Sequence, residues 1–291
     1  MKLGQPPGSE GCISRGESMK RSKSASSVDH YGAQYGNFAS ELFAEIRREA
    51  FGEDIGQTGW LTAGEQDLFI AWLGLTKATH LLDLACGSGK PTLRIAQKTG
   101  CRISGVDLHG EGVANAIANA KELGLEARVD FYRGNAAERL SFEDSSFDAI
   151  MCIDAINHLP NRPKVLEDWH RVLKPGGRLL FTDPIVLTGP MTNEEIAIRA
   201  SIGFFLFVPL GIDEALLKQA GFEVERVEDR TQNMAENAAG WLNARAKREA
   251  DLRAIEGDDV FDGQQTFLET AAILARERRL SRFAILARSN S

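Results

Sequence analysis

Two acidic side chains and a glycine turn are the first residues of this 291-residue chain whose types and spacing could do chemistry. The stretch LLDLACGSGKPTLRIA, residues 81–96, begins with an apolar run that contains Asp83, turns on Gly87 and Gly89, and enters a helical pattern. Asp107 closes the next apolar run, at the spacing of about twenty residues that suits a carboxylate binding ribose hydroxyls. Glycines let the backbone come close to a ligand. The pattern therefore predicts a site for a cofactor that contains a nucleoside.

Two other nucleotide-binding loops fit the same stretch less well. A phosphate-binding loop of the type G-x-x-x-x-G-K-[S/T] requires glycine where Leu84 stands and a hydroxyl side chain where Pro91 stands, so it is excluded. A dinucleotide loop of the type G-x-G-x-x-G/A requires a small residue where Thr92 stands. This second interpretation is weakened and stays open.

The elements that must position these residues alternate regularly. Short apolar runs at 80–85, 102–107, 128–132, 148–154 and 177–183 are separated by helical patterns. This alternation predicts right-handed crossovers and a mainly parallel sheet with helices on both faces, which binds ligands beyond the carboxyl ends of its strands. Two amphipathic helical stretches, about 232–255 and 264–279, precede a last strand, RFAILAR.

Composition limits the kind of partner. The chain is 43% hydrophobic and 26% charged, with a formal net charge of -7. Nucleic acids and anionic membranes select basic surfaces, so we expect a small-molecule partner, no nucleic acid and no membrane. No signal sequence or spanning segment is evident, which predicts a cytoplasmic protein. The four cysteines show neither metal-ligand spacing nor a disulfide framework, and we expect no metal.

Five motifs together resemble the class I S-adenosylmethionine-dependent methyltransferases. They are LLDLACGSG, GVD, FYRGNAAE, FDAIMCIDAINHLP and VLKPGGRLLFTD, and the resemblance covers roughly residues 50–230. It implies an α/β, Rossmann-like, doubly wound fold with a seven-stranded, mostly parallel sheet, helices on both faces and an α-helical N-terminal and cap region. It also implies S-adenosyl-L-methionine as cofactor, S-adenosyl-L-homocysteine as product and no metal.

The resemblance assigns cofactor contacts to the loop ends of the strands. Asp107 would bind the ribose hydroxyls, Asp83 would meet the methionine ammonium or orient the loop, and Asn135 and Ala136 would edge the adenine. The full predicted set is Asp83, Ala85, Gly87, Gly89, Asp107, Leu108, Asn135, Ala136, Ile153, Gln57 and Thr58. Two positions depart from the family. Ala85 replaces the usual first glycine, and Asn135 stands where an acidic or polar residue usually meets the adenine amine. The side-chain carbonyl of Asn135 can accept the same hydrogen bond from that amine.

The catalytic positions are also inferred from the resemblance. IDAINH matches a pattern of phosphobase N-methyltransferases and sterol-type C-methyltransferases, which points to Asp154 and His158. Phosphobase enzymes pair the histidine with a tyrosine near the N-terminus, and the candidates here are Tyr31 and Tyr35. His158 as a strand-end or cofactor-packing residue remains an alternative.

The methyl acceptor is predicted to be small and apolar or aromatic. Phe204, Phe205, Phe207 and Trp60 are the expected substrate contacts, with ordinary core packing as the alternative for the phenylalanines. One interpretation is C-methylation of a prenyl or terpenoid alkene in secondary metabolism, in which aromatic rings would stabilise a cation. The other is O- or N-methylation of a polar metabolite with His158 as the base.

The predicted domain division is a flexible or exchanged N-terminal arm (1–30), an N-terminal helical lid (31–75) and a methyltransferase domain (76–291). Within the last, we expect a cap insertion at about 186–212 and a helical region at about 231–280. The arm and the N-terminal helix lack obvious intramolecular partners, which is compatible with a homo-oligomer. A nicotinamide-dependent oxidoreductase and a non-catalytic cofactor-binding protein stay as functions of other classes.

Overall fold

The computed structural model describes residues 40–290, and within that range helices and strands alternate as predicted. The helices α1 to α10 are Glu41–Phe51, Ala63–Leu73, Lys90–Thr99, Gly110–Glu122, Arg162–Val172, Asn193–Arg199, Ile212–Gln219, Thr231–Ala246, Glu249–Glu256 and Asp258–Arg276. The strands β1 to β8 are His80–Leu84, Arg102–Asp107, Val129–Arg133, Phe147–Cys152, Leu173–Leu187, Val208–Pro209, Phe222–Asp229 and Leu280–Ser289. A short 3-10 helix spans Ile156–His158.

The strands form one sheet in the order β3-β2-β1-β4-β5-β8-β7, and the two-residue strand β6 pairs with β5 beside this path. The pairs among β1 to β5 are parallel, whereas β8 runs antiparallel to both β5 and β7. The seven-stranded, mostly parallel sheet of the sequence prediction is confirmed, with β6 as a small addition. The strand order reverses between β1 and β4, and parallel sheets bind ligands at such a point.

The core lies on both faces of the sheet because neighbouring residues of a strand point to opposite faces. On one face, Leu81 packs in a cluster with Phe69 of α2 and Leu93 of α3. On the other face, Leu82 packs in a cluster with Trp169 of α5. A parallel strand covered on both faces needs consecutive apolar residues, which is why the strands read as continuous apolar runs.

The N-terminal and C-terminal helices pack together beside the sheet. Ile46 of α1 packs with Ala244 of α8 and Phe261 of α10. The helical stretch predicted at 232–255 is two helices, since α8 ends at Ala246 and α9 begins at Glu249. Lys247 and Arg248, which lie between them, pair with Glu49 of α1. The helix predicted at 264–279 starts earlier, at the beginning of α10.

Some predictions fall on residues that the structure does not describe, and others are not tested by it. The N-terminal arm and the first turns of the predicted N-terminal helix lie outside residues 40–290. The lid and cap divisions stay predictions. Within the described range, no helix is both long and apolar enough to cross a bilayer.

Candidate active site

The turn after β1 is built from three residues in the left-handed region, with φ 58° at Ala85, 57° at Gly87 and 76° at Gly89. A Cβ on Gly89 would lie 2.6 Å from the Cβ of Ala116 and 2.8 Å from Cζ of Phe131. Glycine at 89 is therefore required by packing against α4 and β3, in addition to its backbone conformation. The left-handed backbone of Ala85 is energetically unfavourable for a residue with a Cβ. Its side chain is exposed to the cleft.

Asp107 fixes this turn to the end of β2. Its Oδ2 accepts a hydrogen bond from the Gly87 N–H at 2.8 Å, and its Oδ1 accepts one from the His109 N–H at 2.8 Å. The Asp107 side chain is 5% exposed and lines the main cleft, which is described below. Each carboxylate oxygen has a second lone pair, so the same group can still accept hydrogen bonds from two hydroxyls.

Asp83 lies in a smaller cavity of about 60 Å³ on the other side of the turn. Its Oδ2 accepts a hydrogen bond from the Thr92 hydroxyl at 2.5 Å, which ties β1 to α3. Burial raises the pKa of the Asp83 carboxyl to about 7. Ser88 lines the same cavity, is 2% exposed and has a hydroxyl without a hydrogen-bond partner among the described residues. This cavity therefore offers a carboxylate and an unsatisfied hydroxyl to a ligand with both charge types.

The main cleft has a volume of about 320 Å³ and runs along the carboxyl ends of β1, β2 and β4. Four members of the predicted cofactor set, Leu108, Asn135, Ala136 and Ile153, line it. The side-chain carbonyl of Asn135 accepts the Ala137 N–H at 3.0 Å, and its amide donates to Glu138 at 3.0 Å. These bonds orient the Asn135 side chain at the rim and leave its carbonyl oxygen one further lone pair.

The loop between α1 and α2 closes the cleft from above. The Gln57 side chain is used for the loop itself, since its Oε1 accepts the Ile55 N–H at 2.9 Å and its Nε2 donates to the Glu53 carbonyl at 3.0 Å. Thr58 and Gly59 line the small cavity, the main cleft and a third compartment. The three spaces therefore meet at one short stretch of backbone.

The third compartment, hereafter the acceptor compartment, has a volume of about 60 Å³ and is lined by aromatic, aliphatic and polar side chains. Trp60, Phe205, Trp241 and Phe267 contribute to its walls, and His158 lies between it and the main cleft because it lines both. The described residues that line it are Thr58, Gly59, Trp60, Asp154, Asn157, His158, Arg199, Ile202, Phe205, Trp241, Gln264, Phe267 and Leu268.

Asp154 is the hub of a buried ion-pair network. Its Oδ1 accepts hydrogen bonds from Arg282 Nε at 2.7 Å and from the Thr182 hydroxyl at 2.8 Å, and its Oδ2 accepts the Trp60 N–H at 2.8 Å. Arg282 is fully buried and also binds both oxygens of Glu65, at 2.7 and 2.9 Å. With its acceptor positions occupied in this way, Asp154 holds the loop over the cleft. Sequence analysis missed Arg282 and Glu65.

His158 is held in one tautomer. Its Nδ1 lies 2.9 Å from the Phe204 carbonyl oxygen, and because a carbonyl oxygen only accepts, Nδ1 must carry the proton. Its ring stands edge-on to Phe205, with centroids 4.7 Å apart. Burial lowers the pKa of His158, so the ring is neutral near pH 7 and Nε2 is its basic nitrogen.

A second buried charge cluster lies close to His158. Arg162 Nη1 donates to Asp183 Oδ2 at 2.7 Å and to Asp213 Oδ1 at 2.5 Å, and all three side chains are buried. One arginine cannot neutralise two carboxylates. Burial, followed by repulsion from Asp183, accordingly raises the pKa of Asp213 to about 7. The charge of Asp183 in turn works to raise the pKa of His158, against the effect of burial.

Of the remaining predicted residues, some line a cavity and others do not. Phe204 is 54% exposed and lines the main cleft. Phe207 lines none of the three cavities and packs instead with Ile185, Leu274 and Leu280, so the structure supports a core position and not an acceptor contact. Tyr31 and Tyr35 lie outside the described residues. Among residues 40–290, no group of three or more His, Cys, Asp or Glu side chains could hold a metal ion.

Comparisons with known proteins agree with this geometry. Residues 75–204 match a family model described as a methyltransferase domain. The chain is 30% identical over 204 residues to 27-O-demethylrifamycin SV methyltransferase of Amycolatopsis mediterranei, covering 66% of this chain and 75% of the relative. It is 32% identical over 167 residues to sterol 24-C-methyltransferase of Saccharomyces cerevisiae, covering 55% of this chain and 43% of the relative. The chain thus spans less than half of the length of the sterol enzyme.

A solved structure shares the fold. The Haemonchus contortus phosphoethanolamine N-methyltransferase 2, in complex with phosphomonomethylethanolamine and S-adenosylhomocysteine, superimposes with a TM-score of 0.74 at 21% identity. The match covers 86% of this chain and 57% of that one.

The residues around the cleft fit S-adenosylmethionine. Asp83 and the unsatisfied hydroxyl of Ser88 face the small cavity, where the carboxyl can pair with an ammonium and the hydroxyl can donate a hydrogen bond to a carboxylate. Asp107 can accept hydrogen bonds from two ribose hydroxyls, and Leu108 and Asn135 border the space for a base. Family, fold and donor set agree, and the resemblance found in the sequence is confirmed: this chain belongs to the S-adenosylmethionine-dependent methyltransferases.

Proposed function

We propose that this enzyme transfers a methyl group to a hydroxyl of a small, largely apolar acceptor, with His158 as the general base. The observation that carries the proposal is the hydrogen bond from His158 Nδ1 to the Phe204 carbonyl, which makes Nε2 basic at the boundary between cleft and acceptor compartment. O-methylation was the alternative in the sequence analysis, and the fixed tautomer favours it.

When bound, S-adenosylmethionine supplies an electrophilic methyl group on a positively charged sulfur. Asp107 and Asn135 would hold its nucleoside part, and Asp83 and Ser88 its amino-acid part. The loop of Thr58 and Gly59 would exclude water from the line between donor and acceptor, because it lines all three spaces. Alignment of this kind contributes up to about 7–11 kcal/mol in well-oriented reactions.

His158 would take the proton of the accepting hydroxyl on Nε2 as the oxygen attacks. Its lowered pKa keeps it in the base form at neutral pH. The imidazolium that results is stabilised by the Phe204 carbonyl on Nδ1 and by the nearby charge of Asp183. General base catalysis of this type contributes about 10²- to 10⁴-fold in rate.

The apolar character of the acceptor rests on the walls of the compartment. Trp60, Trp241 and Phe267 offer ring faces and edges, with Trp60 and Trp241 in an edge-to-face pair at 6.3 Å. Similarity to enzymes named for a rifamycin and for sterols supports an apolar natural product as acceptor. We propose a role in secondary metabolism on the same grounds.

C-methylation of a terpenoid alkene is the second candidate. Aromatic walls and the similarity to sterol C-methyltransferases favour it. In that reaction no base is needed before the methyl transfer, so the basic Nε2 of His158 would have no part in the transfer step. For this reason O-methylation is the preferred reaction.

The test uses S-adenosylmethionine with a ¹³C-labelled methyl group and a panel of hydroxylated aromatic compounds, hydroxylated polyketides and prenyl alkenes. The chemical shift of the transferred methyl distinguishes a bond to oxygen from a bond to carbon. We expect O-methyl products, and we expect His158→Asn to lower kcat by about 10²-fold or more while S-adenosylhomocysteine still binds. Asparagine can keep the hydrogen bond to the Phe204 carbonyl without supplying a base.

His170→Asn is the matched control, because His170 packs against Phe222 on the far side of α5 and lines none of the three spaces. It should retain wild-type turnover. Products methylated only on carbon, or a His158→Asn variant with wild-type kcat, would contradict the proposal.

A further inference from the structure

The acceptor compartment is too small for the whole of the acceptor proposed above. Its volume is about 60 Å³, and the main cleft beside it is assigned to the cofactor. A water molecule occupies about 30 Å³ in the liquid, so the compartment holds roughly two groups of that size. The reacting hydroxyl and its carbon fit there, whereas an apolar ring or chain behind them does not. A wall of the compartment must therefore move to admit the acceptor.

Several walls of the compartment are fixed. Trp60 donates its backbone N–H to Asp154, which is bound in turn by the buried Arg282. Phe267 and Leu268 lie on α10 within a buried cluster. Movement of these walls would break the ion-pair network or open the core.

The gate segment, defined here as residues 202–206, forms another wall. It lies between α6 and β6, and none of its residues is in a helix or a strand. Ile202 and Phe205 line the compartment from this segment. Phe204 is 54% exposed, and a Cβ on Gly203 would have no atom within 4 Å. The segment therefore has open space into which it can move.

The gate segment is bonded to the 3-10 helix that carries the base. The Leu206 N–H donates to the Asn157 carbonyl at 2.8 Å, and His158 Nδ1 donates to the Phe204 carbonyl at 2.9 Å. The Phe205 ring stands edge-on to the His158 ring. An outward movement of the segment would break both hydrogen bonds. Because the bond at Nδ1 selects the tautomer of His158, an open segment would no longer fix that tautomer.

The Asn157 side chain makes the closed position of the segment costly. It is 1% exposed, and neither its Nδ2 nor its Oδ1 has a hydrogen-bond partner among the described residues. Burial of an amide without a partner costs free energy, and that cost ends when water reaches the amide. Asn157 is bonded directly to the gate segment through Leu206, so we expect opening to hydrate the amide. The unpaired amide therefore favours opening.

We propose that the gate segment opens to admit the acceptor and closes behind it, and that closure places His158 in its reactive tautomer. Phe204 is a positioning residue, because its carbonyl acts through the histidine. Asn157 sets how readily the segment opens. This inference rests on the proposed O-methylation with His158 as base, and adds to it the entry of the acceptor and the step that prepares the base.

The first test measures hydrogen exchange of the Leu206 amide in the full-length protein saturated with S-adenosylhomocysteine. We expect exchange through local opening, which is faster than that of the β5 amides and insensitive to low concentrations of urea. Asn157→Leu should slow this exchange about tenfold, because leucine removes the unpaired amide of the closed position. Asn161→Leu is the matched control, since Asn161 is exposed and makes no side-chain capping bond. It should leave the exchange of Leu206 unchanged.

The second test determines the tautomer of His158 from the ¹⁵N chemical shifts of its ring nitrogens. The wild type and Asn157→Leu should carry the proton on Nδ1. Leu206→Pro removes the N–H that holds the segment closed, and should give a mixture of both tautomers. The β5 amides should keep their protection in this variant, which shows that the fold is intact.

Exchange of Leu206 as slow as that of the β5 amides, or an unchanged rate in Asn157→Leu, would overturn the inference whether or not Leu206→Pro folds. A folded Leu206→Pro variant with the proton on Nδ1 alone would also overturn it, because closure would then not set the tautomer. Neither test uses turnover, so the outcome is separable from that of the proposed function. Products methylated only on carbon would remove the base and leave the exchange result standing, whereas O-methyl products with slow exchange of Leu206 would keep the base and remove the gate.

Discussion

Replacing Arg282 by methionine should destabilise the protein strongly. Arg282 is fully buried and compensates two carboxylates, Glu65 at 2.7 and 2.9 Å and Asp154 at 2.7 and 3.3 Å. Removing one partner of a buried ion pair costs about 3–5 kcal/mol, because the remaining charge has lost its compensation. At roughly 2–4 °C per kcal/mol for a chain of this size, the thermal midpoint should fall by about 6–20 °C.

The measurement is urea unfolding followed by circular dichroism, with a thermal scan as a second readout. The loss of stability of Arg282→Met relative to wild type should be smaller at acidic pH, because protonated carboxyl groups need no counter-charge. Arg102→Met is the control: Arg102 is also on a strand, but it is 63% exposed and pairs with Asp130 at 3.5 Å, so its loss should have little effect. The triple variant Glu65→Gln/Asp154→Asn/Arg282→Met removes these three buried charges together and should recover part of the lost stability.

The same substitution has a functional consequence. Asp154 Oδ2 accepts the Trp60 N–H, and a Cβ on Gly59 would lie 2.8 Å from that oxygen, so the loop packs directly on the carboxylate. Without Arg282 the loop should lose its anchor, and S-adenosylhomocysteine should bind more weakly. If the free energy of unfolding of Arg282→Met lies within about 1 kcal/mol of the wild-type value, which is at the lower end of ordinary mutational effects, the network does not stabilise the fold and the reasoning fails.

Four further outcomes follow from the site. Gly89→Ala should lower the free energy of unfolding by several kcal/mol and abolish cofactor binding, because its Cβ would be too close to its neighbours. Gly124 is also left-handed but a Cβ there would have no atom within 4 Å, so Gly124→Ala should cost only about 1 kcal/mol. Equal free energies of unfolding for the two variants would contradict this. Ala85→Gly should stabilise by up to about 1 kcal/mol in the same assay, since φ is 58°. The Asp213 carboxyl has its pKa raised from 3.8 to about 7, so the folded state holds a proton that the unfolded state releases, and stability should fall as pH rises through that window; Asp213→Asn should flatten this profile in urea titrations. For His158, whose pKa lies below 6.5, kcat should be independent of pH above neutrality and fall only on the acidic side; an acidic limb above 6.5 would argue against its role as base.

The fold and the cofactor loop could be predicted because their signals are local. The alternating apolar runs specify a parallel sheet covered on both faces, and the turn after β1 lies within ten residues of sequence. Asp107 could be placed because the spacing between neighbouring strand ends is nearly constant in this kind of sheet. Each of these inferences depends on residues that are close together in the sequence or on a pattern that repeats along it.

The acceptor side could not be predicted in the same way, because its residues meet only in three dimensions. Arg282 lies 128 residues from Asp154 and 217 from Glu65, and its one local signal is a charge within the apolar strand RFAILAR. Phe205 and Phe207 are two residues apart in the same apolar segment and both pack against the cluster of Ile185, Leu274 and Leu280, yet only Phe205 also lines the acceptor compartment. Their composition is identical, so only the path of the chain after β5 distinguishes them.

Neighbouring residues of the motif IDAINH have different roles. Asp154, with φ 51°, lies two residues after the end of β4 in a left-handed conformation and joins the loop of Trp60 to the buried arginine of β8. This bond network positions the 3-10 helix that follows, and the helix presents Asn157 and His158 to the acceptor compartment. The acidic residue of the motif therefore has a structural role, and the chemistry that we propose depends on the histidine at its end.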